Sequence, residues 1–415
     1  MIGFDWKNPA RMIFGKTDES KMLSLLQEHR VRSLLLVSGG RLPKALGIYD
    51  IVESACRKIG AELFECPRVV PNPKIELARE FSDFGKEHSI DFILAVGGGS
   101  AIDTAKAIAL GIPYAGDCWD FFSGKANPER ALPIGVITTI PASGSETSNA
   151  AILSNGLLKL GVESDILIPK FAFMNPEYTL DLPPFQTAAG CADILSHLVE
   201  RYFTSVDHVD ATDYMIEGAL KALLLNARRL VKNPHDIHAR SEVQLLASVA
   251  HNGFLELGRL SDWASHRIEH ELSAQYDITH GEGMALVLTA YIRYMAEKKP
   301  EKPAQLAQRV FGVDSHDYDS TEAAYILADE FEAFFKSMKL RTRLSEFDID
   351  DTHFEEMALR ATKGDTIKVG HFTAHIKSKN CPKTAVVGQP RTESVWTMRD
   401  SDPRHPGCKP GTLTS

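Results

Sequence analysis

The segment Asp91-Phe-Ile-Leu-Ala-Val96 runs into Gly97-Gly98-Gly99-Ser100 and reopens as helical sequence from Ala101. No other stretch narrows the choice of fold as much. An apolar run of this length that ends in three glycines reads as a buried strand whose exit bends sharply, with backbone amides free to approach a ligand closely. The helix that follows turns its unpaired N–H groups and its favourable partial charge to the same point, so a phosphate or pyrophosphate is the expected guest. The loop is neither a Walker A motif, since no Gly-Lys-Ser/Thr follows, nor the Gly-x-Gly-x-x-Gly fingerprint. A plain tight turn between strand and helix is the other reading.

Leu34–Val37 and Ile134–Thr139 have the same buried-strand character, and helix-period segments such as Ser20–His29 and Asp50–Ile59 lie between the strands. Residues 1–180 are therefore expected to form an α/β domain, Rossmann-like, around a mainly parallel sheet. From Leu182-Pro183-Pro184 the texture changes. Thr187–Tyr202, Ala211–Lys232, Ala239–Leu257, Asp262–Gln275 and Ser320–Lys336 read as helices, the last with Ser320 as N-cap, which predicts an all-α domain over 181–375. Cys381–Ser415 carries Pro382, Pro390, Pro403, Pro406 and Pro410 with little apolar periodicity, so 376–415 is expected as a poorly ordered tail.

The 415 residues carry 46 Lys and Arg against 55 Asp and Glu, a formal charge of −9. Without a dense basic run, nucleic acid is not an expected partner. The longest apolar stretches, Phe92–Val96 and Ala107–Ile112, fall far short of the ~18 residues of a membrane span. The six cysteines form no C-x-x-C pair and the first residues lack a secretory h-region, which points to the cytoplasm.

A second group of residues, Thr138-Thr139-Ile-Pro-Ala-Ser143-Gly-Ser-Glu146, leaves the end of a predicted strand, the edge where open α/β sheets bind ligands. Such hydroxyls are often only caps. A serine-hydrolase elbow is not met around Ser143 or Ser145. The most chemical group comes later. Asp193 and His197 stand at i and i+4 of one helix, His266 and His270 repeat that spacing, and His280 follows. Such N and O donors suit Zn²⁺ or Fe²⁺ and argue against a thiolate site. Spacing alone does not say which of the histidines bind.

With these residues in hand, the chain resembles the iron-containing (group III) alcohol dehydrogenases, in the branch of butanol dehydrogenases and NADPH-dependent aldehyde reductases. The likeness rests on Gly97–Ser100 with Asp103 and Lys106, Trp119-Asp120, Thr138-Thr139 with Gly144-Ser145-Glu146, Gln186–Gly190, and the Asp193, His197, His266, His270, His280 set, in that order and up to about residue 370. It implies Asp193, His197, His266 and His280 as metal ligands, with His270 facing the space between nicotinamide and substrate, where His270 or an ordered water is the expected proton donor. It implies Gly97, Gly98, Gly99 and Ser100 at the pyrophosphate, Asp103 in the same cofactor site, Thr138, Thr139 and Ser143 near ribose and nicotinamide, and Lys159 as a cofactor contact. Where NAD-preferring relatives carry an acidic residue, this chain has Ser38-Gly39-Gly40-Arg41, so NADPH is expected over NADH. The activity implied is reversible reduction of small aldehydes to primary alcohols by a homodimer. A polyol dehydrogenase or a dehydroquinate-synthase-like lyase is the alternative within the same fold, and binding without turnover is the non-enzymatic one. The similar proteins close the helical domain with one more amphipathic helix, which His371–Ser415 does not resemble; losing it would uncover apolar surface at roughly 25 cal/mol per Å².

Overall fold

The computed structural model describes residues 1–364 and 366–370, so the tail expected at 376–415 lies outside the described residues. The first half contains, in order, β1 (Arg11–Phe14), α1 (Glu19–Glu28), β2 (Ser33–Ser38), α2 (Leu42–Ala45), α3 (Ile48–Ile59), β3 (Glu62–Cys66), α4 (Ile75–Glu87), β4 (Phe92–Gly97), α5 (Gly99–Gly111), α6 (Trp119–Phe122), β5 (Ile134–Thr138), β6 (Ala150–Asn155), β7 (Leu158–Glu163) and β8 (Phe171–Met174). Six strands make one parallel sheet in the order β1-β8-β5-β4-β2-β3, while β6 and β7 form a separate antiparallel hairpin.

Successive side chains of a strand face opposite sides. Leu35, Val37, Ile93 and Ala95 join a core with residues of α4 and α5, while Leu34, Leu36, Phe92, Leu94 and Val96 join another with residues of α1 and α3. Both faces are covered, which is why the central strands read as unbroken apolar runs. The chain places β3 on one side of β2 and then crosses back to lay β4 on the other, so a crevice opens at the carboxyl ends of these two strands. Register pairs Ser38 with Val96 and Gly97 with Thr138, so the three predicted loops leave the sheet side by side.

The second half is helical: α7 (Pro184–Tyr202), α8 (Asp210–Lys232), α9 (Ile237–His251), α10 (Ala264–Tyr276), α11 (His280–Lys298), α12 (Glu301–Leu306), α13 (Ser320–Ser337) and α14 (Phe354–Ala361). α11 is buried on nearly all sides and packs against α7, α10 and α13 at the middle of a single apolar core. Two expectations need correction. The helix expected over Ala239–Leu257 stops at His251, because Gly253 takes a left-handed turn (φ +83°) before a short 3₁₀ segment at Phe254–Glu256. Ser320 is the first helical residue and not the cap. Asp319 caps α13, accepting from the Glu322 amide at 2.9 Å while Glu322 accepts from the Asp319 amide at 3.0 Å.

Candidate metal centre and cofactor cleft

α7 is buried from Ala188 to Tyr202, so Asp193 and His197 reach the interior one turn apart. α10 supplies His266, and α11 opens with His280. Asp193 Oδ1 lies 3.7 Å from His197 Nδ1, 3.7 Å from His266 Nε2 and 3.5 Å from His280 Nε2. Two donors held ~2.1 Å from one tetrahedral ion stand ~3.4 Å apart, and the donor atoms of Asp193, His266 and His280, all within 4.8 Å of one another, suit a single small divalent cation, with His197 next to Asp193. Asp193 Oδ1, His197 Nδ1 and His266 Nε2 are also buried and without a hydrogen-bond partner. Each such atom costs about 1–3 kcal/mol unless a ligand takes it.

Carboxylates behind the ring set the imidazoles. Glu200 accepts from His266 Nδ1, and Glu269 accepts from His280 Nδ1, which turns both Nε2 atoms toward Asp193. Burial works against charge on Asp193, yet His197 and His280 hold its carboxyl well below the usual range. Burial pushes the His197 pKa well below its ordinary value, against the pull of Asp193. Burial also works against charge on Glu269, but His280 and Lys159 bring it down to about 2. Burial opposes charge on the other two imidazoles as well, yet Glu200 and Asp193 raise His266 to about 9, and Glu269 and Asp193 raise His280; a divalent metal would have to displace a proton from each to bind it.

His270 lies outside this ring, with its centroid 5.7 Å from that of His280 and 6.4 Å from that of His266. Burial first, then the nearby Lys159 ammonium, push its pKa well below the ordinary value. Donor atoms of Glu269, His270 and His280 also gather, but Lys159 Nζ stands 3.6 Å from Glu269 Oε2 and already supplies a cation there.

Across the crevice from the candidate metal ligands is the glycine loop. Gly97 has φ +153°, and a Cβ there would meet that of Ala101 at 2.9 Å; a Cβ on Gly99 would meet Ser143 Oγ at 2.5 Å. The absence of side chains lets α5 begin against the Ser143 turn and leaves the first amides, Ser100 included, unpaired within the helix. Thr138 Oγ1 and Thr139 Oγ1 are buried beside them without a partner. Asp103 turns inward instead, accepting from Ser145 Oγ at 2.6 Å and from the Ile152 amide at 3.1 Å, so it fixes the loop from behind. Lys106, fully buried, donates to the carbonyls of Ser145, Ser148 and Ala150 at 2.8, 2.9 and 2.7 Å. The Ser143 carbonyl accepts from His251 Nδ1 at 2.6 Å, and the His251 ring packs on that of His197 with centroids 4.4 Å apart. Lys159, on β7, enters the crevice 3.2 Å from Asn72 Oδ1. Ser38 is buried at the end of β2, Gly39 and Gly40 follow, and exposed Arg41 opens α2.

Residues 9–176 match the family model for iron-containing alcohol dehydrogenases, and residues 187–379 match the model for the C-terminal part of that family. The chain belongs to the iron-containing alcohol dehydrogenase family. It is 35% identical over 368 residues to the probable NADH-dependent butanol dehydrogenase 1 of Bacillus subtilis, covering 88% of this chain and 95% of the relative. It is 32% identical over 355 residues to the NADPH-dependent aldehyde reductase YqhD of Escherichia coli, covering 84% and 90%. Among solved structures, the NADH-dependent butanol dehydrogenase A of Thermotoga maritima superposes with a TM-score of 0.84 at 32% identity, covering 89% of this chain and 95% of that one.

Of the four ligands that the resemblance to this family implied, Asp193, His266 and His280 bring donor atoms within 4.8 Å of one another, while His197 Nδ1 approaches Asp193 Oδ1 at 3.7 Å without joining that group, and His270 stands beside them. Sequence reasoning missed Glu200, Glu269, Asn72 and His251. Charged residues in a helix read as a solvated face, and only the fold shows that Glu200 and Glu269 are fully buried behind the histidines. The signal that could have found them is position: Glu200 follows His197 by one turn, and Glu269 precedes His270 on the strip that carries the ligands.

Proposed function

We propose that this chain reduces small aldehydes reversibly to primary alcohols with a nicotinamide dinucleotide. The observation that carries this reading is the gathering of Asp193, His266 and His280, with His197 against Asp193, in the helical half that faces the Gly97–Ser100 loop. When bound, a ferrous or zinc ion supplies a Lewis acid for the carbonyl oxygen and the nicotinamide supplies the hydride. The protein's part is alignment. Glu200 and Glu269 hold two imidazoles in orientation, and Lys106 and Asp103 hold the Ser145–Ile152 segment that leads into the Lys159 hairpin. His270, neutral in its buried setting, is ready to take the hydroxyl proton in the alcohol-to-aldehyde direction; in the reverse direction it is protonated by way of solvent before delivering that proton to the oxygen.

The preference for NADPH is part of the same proposal. It is supported by the absence of a carboxylate from Ser38-Gly39-Gly40-Arg41 and by the exposed guanidinium that follows. The proposal extends to a cytoplasmic homodimer, for which light scattering of the purified protein is the check. No helix among the described residues is long and apolar enough to cross a membrane. Against a lyase acting on an anionic sugar, Arg267 is engaged with the carbonyls of Lys368 and Val369, both at 3.0 Å.

The test follows nicotinamide absorbance with butanal and NADPH, with glycerol and NADP⁺, or with either dinucleotide and no substrate, with and without added Fe²⁺ or Zn²⁺. Butanal-dependent, metal-dependent oxidation supports the proposal. Turnover by metal-free protein removes the Lewis acid, and turnover with glycerol alone moves the reading to polyols.

A further inference from the structure

Glu269 is fully buried, and both its oxygens are taken. Oε1 accepts from Ser273 Oγ, while Oε2 accepts from His280 Nδ1 and lies 3.6 Å from Lys159 Nζ. The room for it is built in: a Cβ at Gly283 would come within 2.7 Å of Oε1, so the second turn of α11 must be bare there. Lys159 reaches this carboxylate from the other half of the molecule. It rides on the β6–β7 hairpin, its ammonium 3.2 Å from Asn72 Oδ1, while Asn72 Nδ2 donates to Asp277 Oδ1 at 2.9 Å and to the Ile278 carbonyl at 3.2 Å. Asp277 and Ile278 belong to the turn that delivers His280. The contacts therefore close a ring, Lys159 to Glu269 to His280 and back through the 277–278 turn and Asn72, with residues of both domains in it.

We propose that Glu269 is a positioning residue shared between the halves, dividing its charge between His280 on the metal side and Lys159 on the cofactor side, so that the grip on the metal depends on where the Lys159 ammonium sits. This rests on the metal reading above and goes beyond it. The physical reason is that one carboxylate oxygen serves two positive partners. A closer ammonium draws charge from the His280 Nδ1–H bond and repels a divalent cation at Nε2; a withdrawn ammonium does the opposite. A ligand that draws Lys159 toward itself would in this way tighten the metal.

The proposal makes two substitutions act with opposite sign on one equilibrium. The experiment measures the Zn²⁺ dissociation constant by chelator competition in wild type, Glu269→Gln, Lys159→Met and the double variant, with circular dichroism and thermal melting recorded for each. Glu269→Gln keeps the shape and loses the charge, and should weaken Zn²⁺ by roughly 10–100-fold. Lys159→Met should tighten Zn²⁺ by roughly fivefold or more, because Glu269 then gives its charge to the His280 Nδ1–H bond alone. In the double variant the tightening should shrink, since the shared carboxylate is gone. If both single variants weaken Zn²⁺ in step with a falling melting temperature, Glu269 is a packing element and the proposal is overturned. If the effects simply add in the double variant, Lys159 acts on the ion directly and the sharing is overturned. If wild type binds no Zn²⁺ or Fe²⁺ at all, the metal reading itself fails and this proposal with it.

Discussion

His280 Nε2 stands 3.5 Å from Asp193 Oδ1, although one residue begins α11 and the other lies in the middle of α7. Two groups of opposite demand, an acceptor carboxylate and an imidazole whose other nitrogen is committed to Glu269, are held too far apart to satisfy each other and close enough to share an ion. The first prediction follows from that geometry. Asp193→Ala should abolish metal binding and butanal turnover together, with a loss of affinity beyond the roughly 10–100-fold typical of supporting partners. Elemental analysis beside the absorbance assay checks it, and a metal-loaded but inactive variant would contradict it.

His270 lies beside the ring of donors and outside it. His270→Ala should therefore keep a full complement of metal while kcat falls by roughly 10²–10⁴-fold, the usual worth of a positioned proton-transfer group. Unchanged kcat would remove the residue from proton transfer.

Lys106 is a buried cation whose partners are carbonyls of one loop, with Asp103 as the neighbouring negative charge. Lys106→Met should strand these acceptors and lower the free energy of unfolding in urea by about 3–5 kcal/mol. A loss below about 1 kcal/mol would mean that the loop finds other donors.

Arg41 opens α2 beside the proposed ribose site and is exposed. Arg41→Ala should cut kcat/KM for NADPH roughly tenfold, the scale of one hydrogen bond to a charged group, and leave NADH unchanged. Equal loss for the two dinucleotides would withdraw the NADPH preference.

The thiols supply a pH prediction. Burial pushes Cys56 and Cys118 up to about 11 and Cys66 and Cys191 up to about 12. An ordinary cysteine gains thiolate between pH 7 and 9, whereas these four should stay protonated across that window. Mass spectrometry after iodoacetamide treatment should find them unlabelled at pH 7 and equally unlabelled at pH 9; labelling that rises between the two would show that the core opens.

The sequence showed the parts of this fold that have an unmistakable period or an unmistakable break. β2, β4 and β5 are apolar on both faces, and Gly97–Gly99 mark a sharp exit from the sheet. β1 and β3 are different: their residues Arg11, Phe14 and Glu62 are exposed at the two edges of the sheet, and no alternation marks them. The β6–β7 hairpin turns on Gly156 (φ +58°), which a reading of helices and parallel strands passes over, and with it went the position of Lys159. In the site, the i, i+4 pairs were legible because a helix dictates them. The separation of His266 from His270 was not, since α10 places both on adjoining faces and only the neighbours, Glu200 behind one and Lys159 near the other, decide which meets the ion.

All four donors come from α7, α10 and α11, whereas the glycine loop, both threonines and Lys159 come from the sheet side. A nick in the Leu182-Pro183 linker would therefore not divide the labour evenly. The downstream fragment would keep all four side chains proposed to grip the ion and lose the loop proposed to seat the dinucleotide, together with the Lys159 ammonium that bears on Glu269.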